Sequence, residues 1–484
     1  MQSSGPCLSG VSMNTPKQSS YANPYPNLNA HELGAALLPV LERRFPKLAG
    51  EFMGLFSQHT DGVRTSMVGL GSEFRVVVTH DGAHLNLQLQ HEQAVCLAQT
   101  LALDASRLFH EQLFDAVARF VEQLCPWLMQ KHGLPASATF LGGWRCATHP
   151  EHLSEPLVFT LPRLFCRISD EQLTFSCLHD DIWYAIDERL IASAADFTPT
   201  ANPRITQRED IPACADYVND LVGLLNELAC TDADKVVIGR EVKLTLERPI
   251  SPALLLRLVA PRPNPHYEFV FRWADQVAWV GISPETLLRK DNDLLVVEPL
   301  AGTRKGSSEG EKNARYRHEL TSDLKELEEH ETAAGLFLEQ LATVCENGSL
   351  DLRESRSVID LGYVQHLKSL ISGTVKAGLN VFDALAAVYP PATIWGKPLA
   401  VCGERIRRYE QIDRGFFTGG LGYFTLGDDA NFALAIRTVK LTESHIHVYA
   451  GSGIVKASDP YREWLETTNK MKPYLANEYV WNIS

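Results

Sequence analysis

The chain has 484 residues, of which 45% are hydrophobic and 21% are charged, values typical of a soluble globular protein with a large core. Its formal net charge is −14 at pH 7, which argues against broad contact with nucleic acid or anionic lipid because both attract a basic surface. No apolar run approaches the roughly 18 residues needed to span a bilayer, so we predict no membrane segment.

Ten cysteines are scattered along the chain without a C-x-x-C pair. This pattern is typical of buried thiols in a reducing compartment. The N-terminal stretch is polar and lacks an apolar segment of signal-peptide length. Together these features predict a cytoplasmic location. The sequence gives no indication of the oligomeric state.

The first part of the chain is predicted to be a tail followed by a mixed region. Residues 1–27 are rich in Ser, Pro and Asn and are predicted to be a disordered tail. Residues 28–192 alternate helical patterns such as "AHELGAALLPVLERRF" with strand patterns such as "FRVVVTH", which predicts an α+β part. Residues 193–210 contain two prolines and many small polar residues, which is typical of a linker.

The second part, residues 211–484, begins with a helical pattern and the strand pattern "KVVIGREVKLTL". Farther on, β-rich runs are joined by the short turns "GDDA" and "ES", which predict antiparallel neighbours. Such strands would bring Arg437, Gly451 and Gly453 close together. The final periodic segment predicts a helix that begins at Asp459, a favourable N-cap followed by proline.

Two glutamate pairs share one spacing. Glu326 and Glu329 are three residues apart, and so are Glu463 and Glu466, so each pair lies on one face of a predicted helix. Either pair alone is typical of a solvated helix face. If the two helices face each other, the four carboxylates form an all-oxygen site suited to Mg²⁺.

Nine motifs in the second part occur in an order that resembles the chorismate-utilising enzymes, a family that includes isochorismate, salicylate, anthranilate and aminodeoxychorismate synthases. The resemblance covers about residues 210–478; "GGWRC" and "LPRL" in the first part are similar to stretches of isochorismate synthases. The motifs are "KVVIGRE" (235–241), "GISPETLLRK" (281–290), "EPLAGTR" (298–304), "DLKELEEHE" (323–331), "YVQHL" (363–367), "PPATIWGKP" (390–398), "ALAIRT" (433–438), "YAGSGIV" (449–455) and "EWLETTNK" (463–470).

The resemblance implies a fold and a set of residue roles. The implied fold is α+β, with large stacked antiparallel β-sheets covered by helices. Lys235 is implied as the general base and Glu285 as the general acid in the addition of water to C2 of chorismate with loss of the C4 hydroxyl. Mg²⁺ would bind the ring carboxylate, with Glu329 and Glu466 nearest to it and Glu326 and Glu463 acting through its waters. The implied substrate-binding residues are Gly302, Thr303, His366, Thr393, Arg437, Gly451, Gly453 and Lys470.

The resemblance leaves the product open. Lys235 resembles the branch that uses water, whereas anthranilate synthases have glutamine at this position; the chain also shows no glutaminase domain. Ile394 and Phe417 favour isochorismate synthase, while Thr393 favours salicylate synthase, which goes on to eliminate pyruvate. Trp395 fits neither pattern and leaves the shape of the pocket open. An ammonia-using synthase and a homologue that binds an aromatic carboxylate without turnover are the further alternatives.

Overall fold

The structure is a computed structural model, which describes residues 16–23, 30–58, 64–150, 153–192, 204–231, 233–259, 267–273, 276–362, 364–475 and 482–483. The predicted tail and linker lie partly outside these residues. The helical pattern that begins at Ala30, the strand patterns at 74–80 and 235–246 and the helix predicted after Asp459 are all present close to their expected bounds.

The first part of the chain contains ten strands and four helices among the described residues. In chain order these are β1 (Lys17–Ala22), α1 (Ala30–Arg44), β2 (Phe52–Gln58), β3 (Arg64–Leu70), β4 (Phe74–His80), β5 (His84–His91), β6 (Ala94–Ala102), α2 (Phe109–His132), β7 (Thr139–Trp144), β8 (Leu157–Leu161), β9 (Leu164–Ile168), β10 (Gln172–Cys177), α3 (Asp180–Trp183) and α4 (Glu188–Ala192).

The second part of the chain contains the remaining elements. They are β11 (Arg204–Ile211), α5 (Cys214–Ala229), β12 (Lys235–Leu246), α6 (Pro252–Val259), β13 (Tyr267–Arg272), β14 (Ala278–Ser283), β15 (Thr286–Asp291), β16 (Leu294–Val297), β17 (Leu300–Lys305), α7 (Gly310–Ser322), α8 (Leu324–Ala342), β18 (Asp351–Asp360), β19 (Val364–Thr374), α9 (Val381–Val388), β20 (Gly396–Lys397), α10 (Leu399–Tyr409), β21 (Gly420–Thr425), β22 (Ala430–Leu434), β23 (Thr438–Leu441), β24 (His445–Val455), α11 (Pro460–Leu475) and β25 (Asn482–Ile483).

The described strands form two large sheets. The first sheet has 13 strands in the order β1-β10-β9-β3-β2-β13-β14-β23-β24-β12-β11-β25, with β20 also paired to β12. The second has 12 strands in the order β17-β19-β16-β15-β22-β21-β7-β8-β4-β5-β6, with β18 also paired to β19. Named strands pair in antiparallel fashion except at the short β11–β25 contact. The α+β fold with stacked antiparallel sheets is therefore confirmed.

The two sheets pack face to face. Buried side chains of the first sheet, such as Phe269 and Trp279, meet Leu141 and Leu421 of the second in one apolar cluster, as expected for stacked sheets whose inner faces interdigitate to form a core. The outer face of the second sheet is covered by α2, α8 and α9. The outer face of the first sheet is covered by α1, α6 and α11.

Three details of the predicted organisation are corrected. Residues 17–22, inside the predicted tail, form β1 and pair with β10 at the edge of the sheet, with half-buried and exposed side chains alternating along the strand. Residues 204–210, inside the predicted linker, belong to β11 and pair with β12. Both parts of the chain contribute strands to both sheets, so the stretch at 193–210 does not separate two independent sheets.

No helix among the described residues has the length and apolar character needed to cross a bilayer.

Candidate active site

A cavity lies where the chain passes between the two sheets. Glu285 is between β14 of the first sheet and β15 of the second, and Arg437 is between β22 of the second sheet and β23 of the first. Every residue predicted for the site lines this cavity: Lys235, Glu285, Gly302, Thr303, Glu326, Glu329, His366, Thr393, Arg437, Gly451, Gly453, Glu463, Glu466 and Lys470. The roles implied for them stay predictions, whereas their convergence is a structural result.

Lys235 is the first residue of β12, and its amine donates to Oε1 of Glu329 at 2.6 Å. Gly453 lies beside it on β24, where an added Cβ would stand 2.2 Å from the Cε of Lys235. A side chain at position 453 would therefore displace the end of the Lys235 side chain from its place beside Glu329. The carbonyl of Gly451 accepts a hydrogen bond from Nζ of Lys470 at 2.9 Å. Gly451 therefore orients the amine of Lys470 in the cavity.

Glu285 is buried at the inner end of the cavity. Its carboxylate accepts a hydrogen bond from the backbone N–H of Leu300, and burial raises its pKa to about 8. Its Oε1 has no hydrogen-bond partner within the described chain. A carboxyl group in such surroundings is protonated at neutral pH and can donate a proton to a bound molecule.

His366 and Arg437 form one hydrogen-bonded unit. Nη2 of Arg437 lies 3.1 Å from Nε2 of His366, and Nδ1 of His366 lies 3.2 Å from the carbonyl of Gly302 and 3.0 Å from Oγ1 of Thr303. Since arginine can only donate, Nε2 accepts and the proton sits on Nδ1. Burial, with the charge of Arg437, lowers the pKa of His366 to about 3, so the ring is neutral and holds the guanidinium in place.

Arg437 itself adopts a left-handed backbone conformation, with φ of 51°. For a residue with a Cβ this conformation costs about 1–3 kcal/mol and is kept only where the surroundings hold it. The carbonyl of Arg437 accepts hydrogen bonds from the hydroxyl of Tyr474 and from the N–H of Ile282. These contacts hold the segment that connects β22 to β23, and the guanidinium of Arg437 lines the cavity.

The four glutamates line one wall of the cavity from two helices. Asp323 caps α8 by accepting from the N–H of Lys325 at 2.9 Å, and this fixes the face that carries Glu326 and Glu329. Glu326 accepts from the N–H of Thr303 at 2.7 Å and from Arg304 at 2.5 Å, so its carboxylate is tied to β17.

The carboxylates nearest the cavity are balanced by lysines. Burial acts to raise the pKa of Glu329, but Lys235 outweighs it and the net shift is downward. In the same way Lys470, whose Nζ lies 2.7 Å from Oε1 of Glu466, lowers the pKa of Glu466 against burial. The pKa of Glu463 is raised by burial and by the charge of Glu466. The wall therefore carries negative charge beside the amines of two ion-paired lysines.

The predicted separation of the acidic stretch is seen directly. Glu328 and Glu331 are exposed while Glu326 and Glu329 face inward, as the helical spacing indicates. Within the described ranges no three His, Cys, Asp or Glu side chains already converge on a point suited to a metal ion. The donor chemistry nevertheless fits Mg²⁺, which prefers carboxylate oxygens and retains several waters.

Trp395 does not shape the pocket, a question that the sequence left open. Its ring does not line the cavity but packs edge-on against His110, and its Nε1 donates to the carbonyl of Leu399 at 2.9 Å. The preceding residues Thr393 and Ile394 do line the cavity. Oγ1 of Thr393 is buried without a partner in the described part of the chain, so a bound molecule can reach this hydroxyl.

The sequence analysis did not identify some of the residues that line the cavity, nor a buried arginine that contacts the cavity wall from outside. Tyr449, Thr418 and Ile436 also line the cavity; Ile436 and Tyr449 stand within or beside motifs that were recognised, and this adjacency is the signal that could have found them. The buried Arg414 was also missed. Its guanidinium binds Glu410 at 2.7 Å and the carbonyl of Ile394 at 3.0 Å, so it holds the cavity wall from behind.

Curated relatives resemble about half of the chain. Component 1 of anthranilate synthase from Pseudomonas putida is 33% identical over 258 residues, which is 53% of this chain and 52% of that protein. Component 1 of anthranilate synthase from Haloferax volcanii is 38% identical over 240 residues, 49% of this chain and 45% of that protein. The chain thus spans about half the length of the curated relatives it matches.

Solved structures resemble nearly the whole chain. A structure of MenF, the menaquinone-specific isochorismate synthase of Escherichia coli, has a TM-score of 0.69 and 21% identity, covering 95% of this chain and 94% of that one. A putative 2,3-dihydroxybenzoate-specific isochorismate synthase, DhbC of Bacillus anthracis, has a TM-score of 0.67 and 21% identity, covering 91% and 99%. Component I of anthranilate synthase from Streptococcus pneumoniae has a TM-score of 0.63 and 20% identity, covering 85% and 92%.

At these identities the solved structures establish a shared fold. Residues 82–476 match the model of the family described as chorismate binding enzyme, which covers most of the chain. The chain therefore belongs to the chorismate-binding enzyme family.

Proposed function

We propose that this protein converts chorismate to isochorismate. The observation that carries the proposal is that a lysine amine, from Lys235, and a carboxyl group held protonated by burial, from Glu285, open onto the same cavity. An addition of water coupled to the loss of a hydroxyl needs a base and an acid at one site.

The reaction follows from these two groups. With its own amine uncharged, Lys235 takes a proton from water as the water oxygen forms a bond to C2 of the ring. The double bonds shift, the C4–O bond breaks, and Glu285 gives its proton to the departing hydroxyl, which leaves as water. Water is a weak nucleophile whose attack needs a base, whereas neutral ammonia is a stronger nucleophile that can attack without one; a lysine in position to act as a base therefore supports water over ammonia as the nucleophile.

The charged groups of the cavity suit a dicarboxylate substrate. Arg437 presents a planar guanidinium fork, held by His366, which is suited to bidentate binding of a carboxylate. Mg²⁺ would be held by Glu329 and Glu466, with Glu326 and Glu463 in support, and would neutralise and orient the second carboxylate. Lys470, held by Gly451 and Glu466, adds a cation on the same side.

Salicylate synthesis is the second candidate, supported by the unpartnered hydroxyl of Thr393 in the cavity. In this case the isochorismate formed first would lose pyruvate at the same site. Anthranilate synthesis is the third candidate because the curated relatives carry that name. We place the enzyme in the cytoplasm, in line with its scattered free thiols.

The test is product analysis with the purified protein. Chorismate and Mg²⁺ are incubated with and without ammonium, and the products are separated by chromatography. Isochorismate as the product in both reactions is the expected result. Salicylate with pyruvate would select the second candidate, anthranilate formed only with ammonium the third, and chorismate left unchanged in both would contradict an enzymatic role.

A further inference from the structure

Directly behind Glu285 lies a buried ion pair that the proposed chemistry does not use. Nζ of Lys368 is 3.0 Å from Oε1 of Glu298, and the two side chains are 4% and 2% exposed. The other carboxylate oxygen of Glu298 accepts from the hydroxyl of Thr286. The backbone N–H of Glu298 also donates to the carbonyl of Thr286 at 3.1 Å, so this pair is tied to β15 by both side chain and main chain.

The pair meets Glu285 from two directions. Thr286 is the next residue along the chain, and Leu300, whose N–H donates to the Glu285 carboxylate, lies two residues beyond Glu298. Leu300 is also the register partner of Lys368 where β17 pairs with β19. The ion pair thus connects the residue that follows the acid with the strand that donates to it.

Stability alone does not account for such a pair. Removing two charges from water costs several kcal/mol per ion, and apolar residues of similar volume often serve equally well. Here the pair joins a wider buried network, because the hydroxyl of Tyr267 contacts Oγ1 of Thr286 at 3.0 Å and Oδ1 of Asn431 at 2.6 Å. The members of the network come from β13, β15, β19 and β22 and from the segment between β16 and β17.

We infer that the buried Glu298–Lys368 ion pair is a positioning unit for Glu285: it fixes Thr286 and Leu300 on either side of the acid and, being neutral as a pair, leaves the acid carboxyl uncharged. This inference rests on the proposed function, in which Glu285 is the proton donor. Glu298 and Lys368 themselves do not line the cavity. They act through Glu285 and not on the substrate.

The charge state of Glu285 depends on groups on both sides of it. Burial is the dominant influence on the pKa of Glu285, opposed by the hydrogen bond from Leu300. A lone cation left behind the acid would favour its ionised form. The charged and titratable groups facing this region are Lys235, Glu329, His366, Arg437, Glu466 and Lys470 across the cavity, and Glu298, Lys368, Arg289 and Tyr267 behind it.

The first experiment compares kcat/KM for chorismate between pH 6 and pH 9 in the wild type, Glu298→Gln, and the double variant Glu298→Gln with Lys368→Met. Glu298→Gln leaves Lys368 as an unbalanced cation, so the loss of activity at high pH should begin about one pH unit lower, with kcat/KM about fivefold below wild type at pH 8. The double variant restores neutrality, so its high-pH limb should return toward that of the wild type. A purely structural role would lower activity at every pH without moving that limb.

Two further variants keep the test decisive if Glu298→Gln folds poorly. Thr286→Val removes the hydroxyl that contacts Glu298 and Tyr267 and keeps the ion pair. We therefore expect kcat to fall about tenfold with KM and the pH profile unchanged; an unchanged kcat would overturn the positioning role. Lys290→Met is the control, since Lys290 lies on the same strand and pairs with Asp428 at 2.9 Å. It should lower the melting temperature and leave the pH limb in place.

A second readout does not need turnover. The pH dependence of thermal unfolding is compared between the wild type and Glu285→Gln, and again between Glu298→Gln and the same variant carrying Glu285→Gln. Each difference reports the ionisation of Glu285 in the folded protein, first with Glu298 and then without it. If the wild type does not convert chorismate, the proposed function fails. The unfolding comparison still reports how the Glu298–Lys368 ion pair affects the ionisation of Glu285. An ionisation of Glu285 that is the same with and without Glu298 would overturn the inference.

Discussion

At the scale of single residues, the site contains buried ionisable side chains of types that are usually exposed to solvent. Glu285 is 2% exposed, and Arg437 is held in a left-handed conformation. Each feature costs stability and is typical of a place where chemistry needs a particular charge state or direction. The individual residues are therefore best tested by substitutions whose effect on protein stability can be measured separately from their effect on catalytic rate.

Replacing Glu285 with glutamine should abolish turnover and stabilise the protein. The ordinary pKa of 4.5 applies in the unfolded chain, and the folded value is about 8. The unfolded state therefore loses its proton first, and stability falls as pH rises from about 4.5 to about 8, by about 3 kcal/mol at pH 7. Glu285→Gln removes this loss, so its melting temperature relative to wild type should increase across that window.

The same pKa predicts the activity profile of the wild type. The acid must carry its proton, so kcat/KM should fall as pH rises through about 8. A rate measurement from pH 6 to pH 9 checks this expectation. An activity that keeps increasing above pH 9 would contradict the role of Glu285 as proton donor.

Replacing Lys235 with alanine should lower water-dependent turnover by about 10²–10⁴-fold, because it removes the proposed base. The matched control is Lys243→Ala, farther along the same strand β12 and 3.9 Å from Glu209. Steady-state rates with chorismate should be close to wild type for the control. Full turnover by Lys235→Ala would show that another group takes the proton.

At the scale of elements, α11 carries three of the predicted site residues and is fastened to β12 by one buried arginine. Arg240 donates to Oγ1 of Thr467 and of Thr468, each at 2.7 Å, and its guanidinium lies 3.6 Å from the ring centre of Trp464. It also contacts Asp210 at 3.0 Å. The helix therefore presents Glu463 and Glu466 from a fixed position.

Replacing Arg240 with methionine should loosen this helix. The lost charged hydrogen bonds are expected to cost about 2–4 kcal/mol of unfolding free energy. Because the helix carries Glu463 and Glu466, binding of Mn²⁺, used as a spectroscopic substitute for Mg²⁺, should also weaken when followed by electron paramagnetic resonance. Arg462→Met, at an exposed position of the same helix, should change neither value appreciably, and equal Mn²⁺ binding in both variants would contradict the positioning of the helix by Arg240.

At the scale of the whole molecule, the two parts of the chain share both sheets. Strand β2 pairs with β13 in the first sheet, and β7 pairs with β21 in the second. Cutting the chain at 193–203 would leave β13 and β21 with unpaired edges and would expose the apolar cluster between the sheets. Such edges and faces promote aggregation.

A fragment of residues 204–484, although it contains all the predicted site residues, should therefore fail to fold alone. Circular dichroism and sedimentation of the purified fragment would show loss of cooperative unfolding or association. The full chain should melt without a separate early transition for residues 30–192. A monomeric fragment that unfolds cooperatively would indicate that the second part is an independent domain.

The sequence by itself determined the local elements and named residues that line one cavity. The helical spacing placed Glu326 and Glu329 on one face of α8, and Asp459 was predicted to begin α11, where its side chain accepts from the N–H of Arg462 at 2.8 Å. Ordered motifs indicated the family, and the match to its model confirmed it. These features are readable because periodicity, capping and motif order are local properties of the chain.

Only the tertiary structure decided how distant segments cooperate. The burial that raises the pKa of Glu285, the hold of His366 on Arg437, and the ion pair of Glu298 with Lys368 depend on strands from different parts of the chain. The packing of Trp395 away from the cavity and the pairing of β1 with β10 were likewise not readable from local patterns. Burial and long-range pairing arise from packing among segments far apart in sequence, so their energetic effects become visible only when the fold brings those segments together.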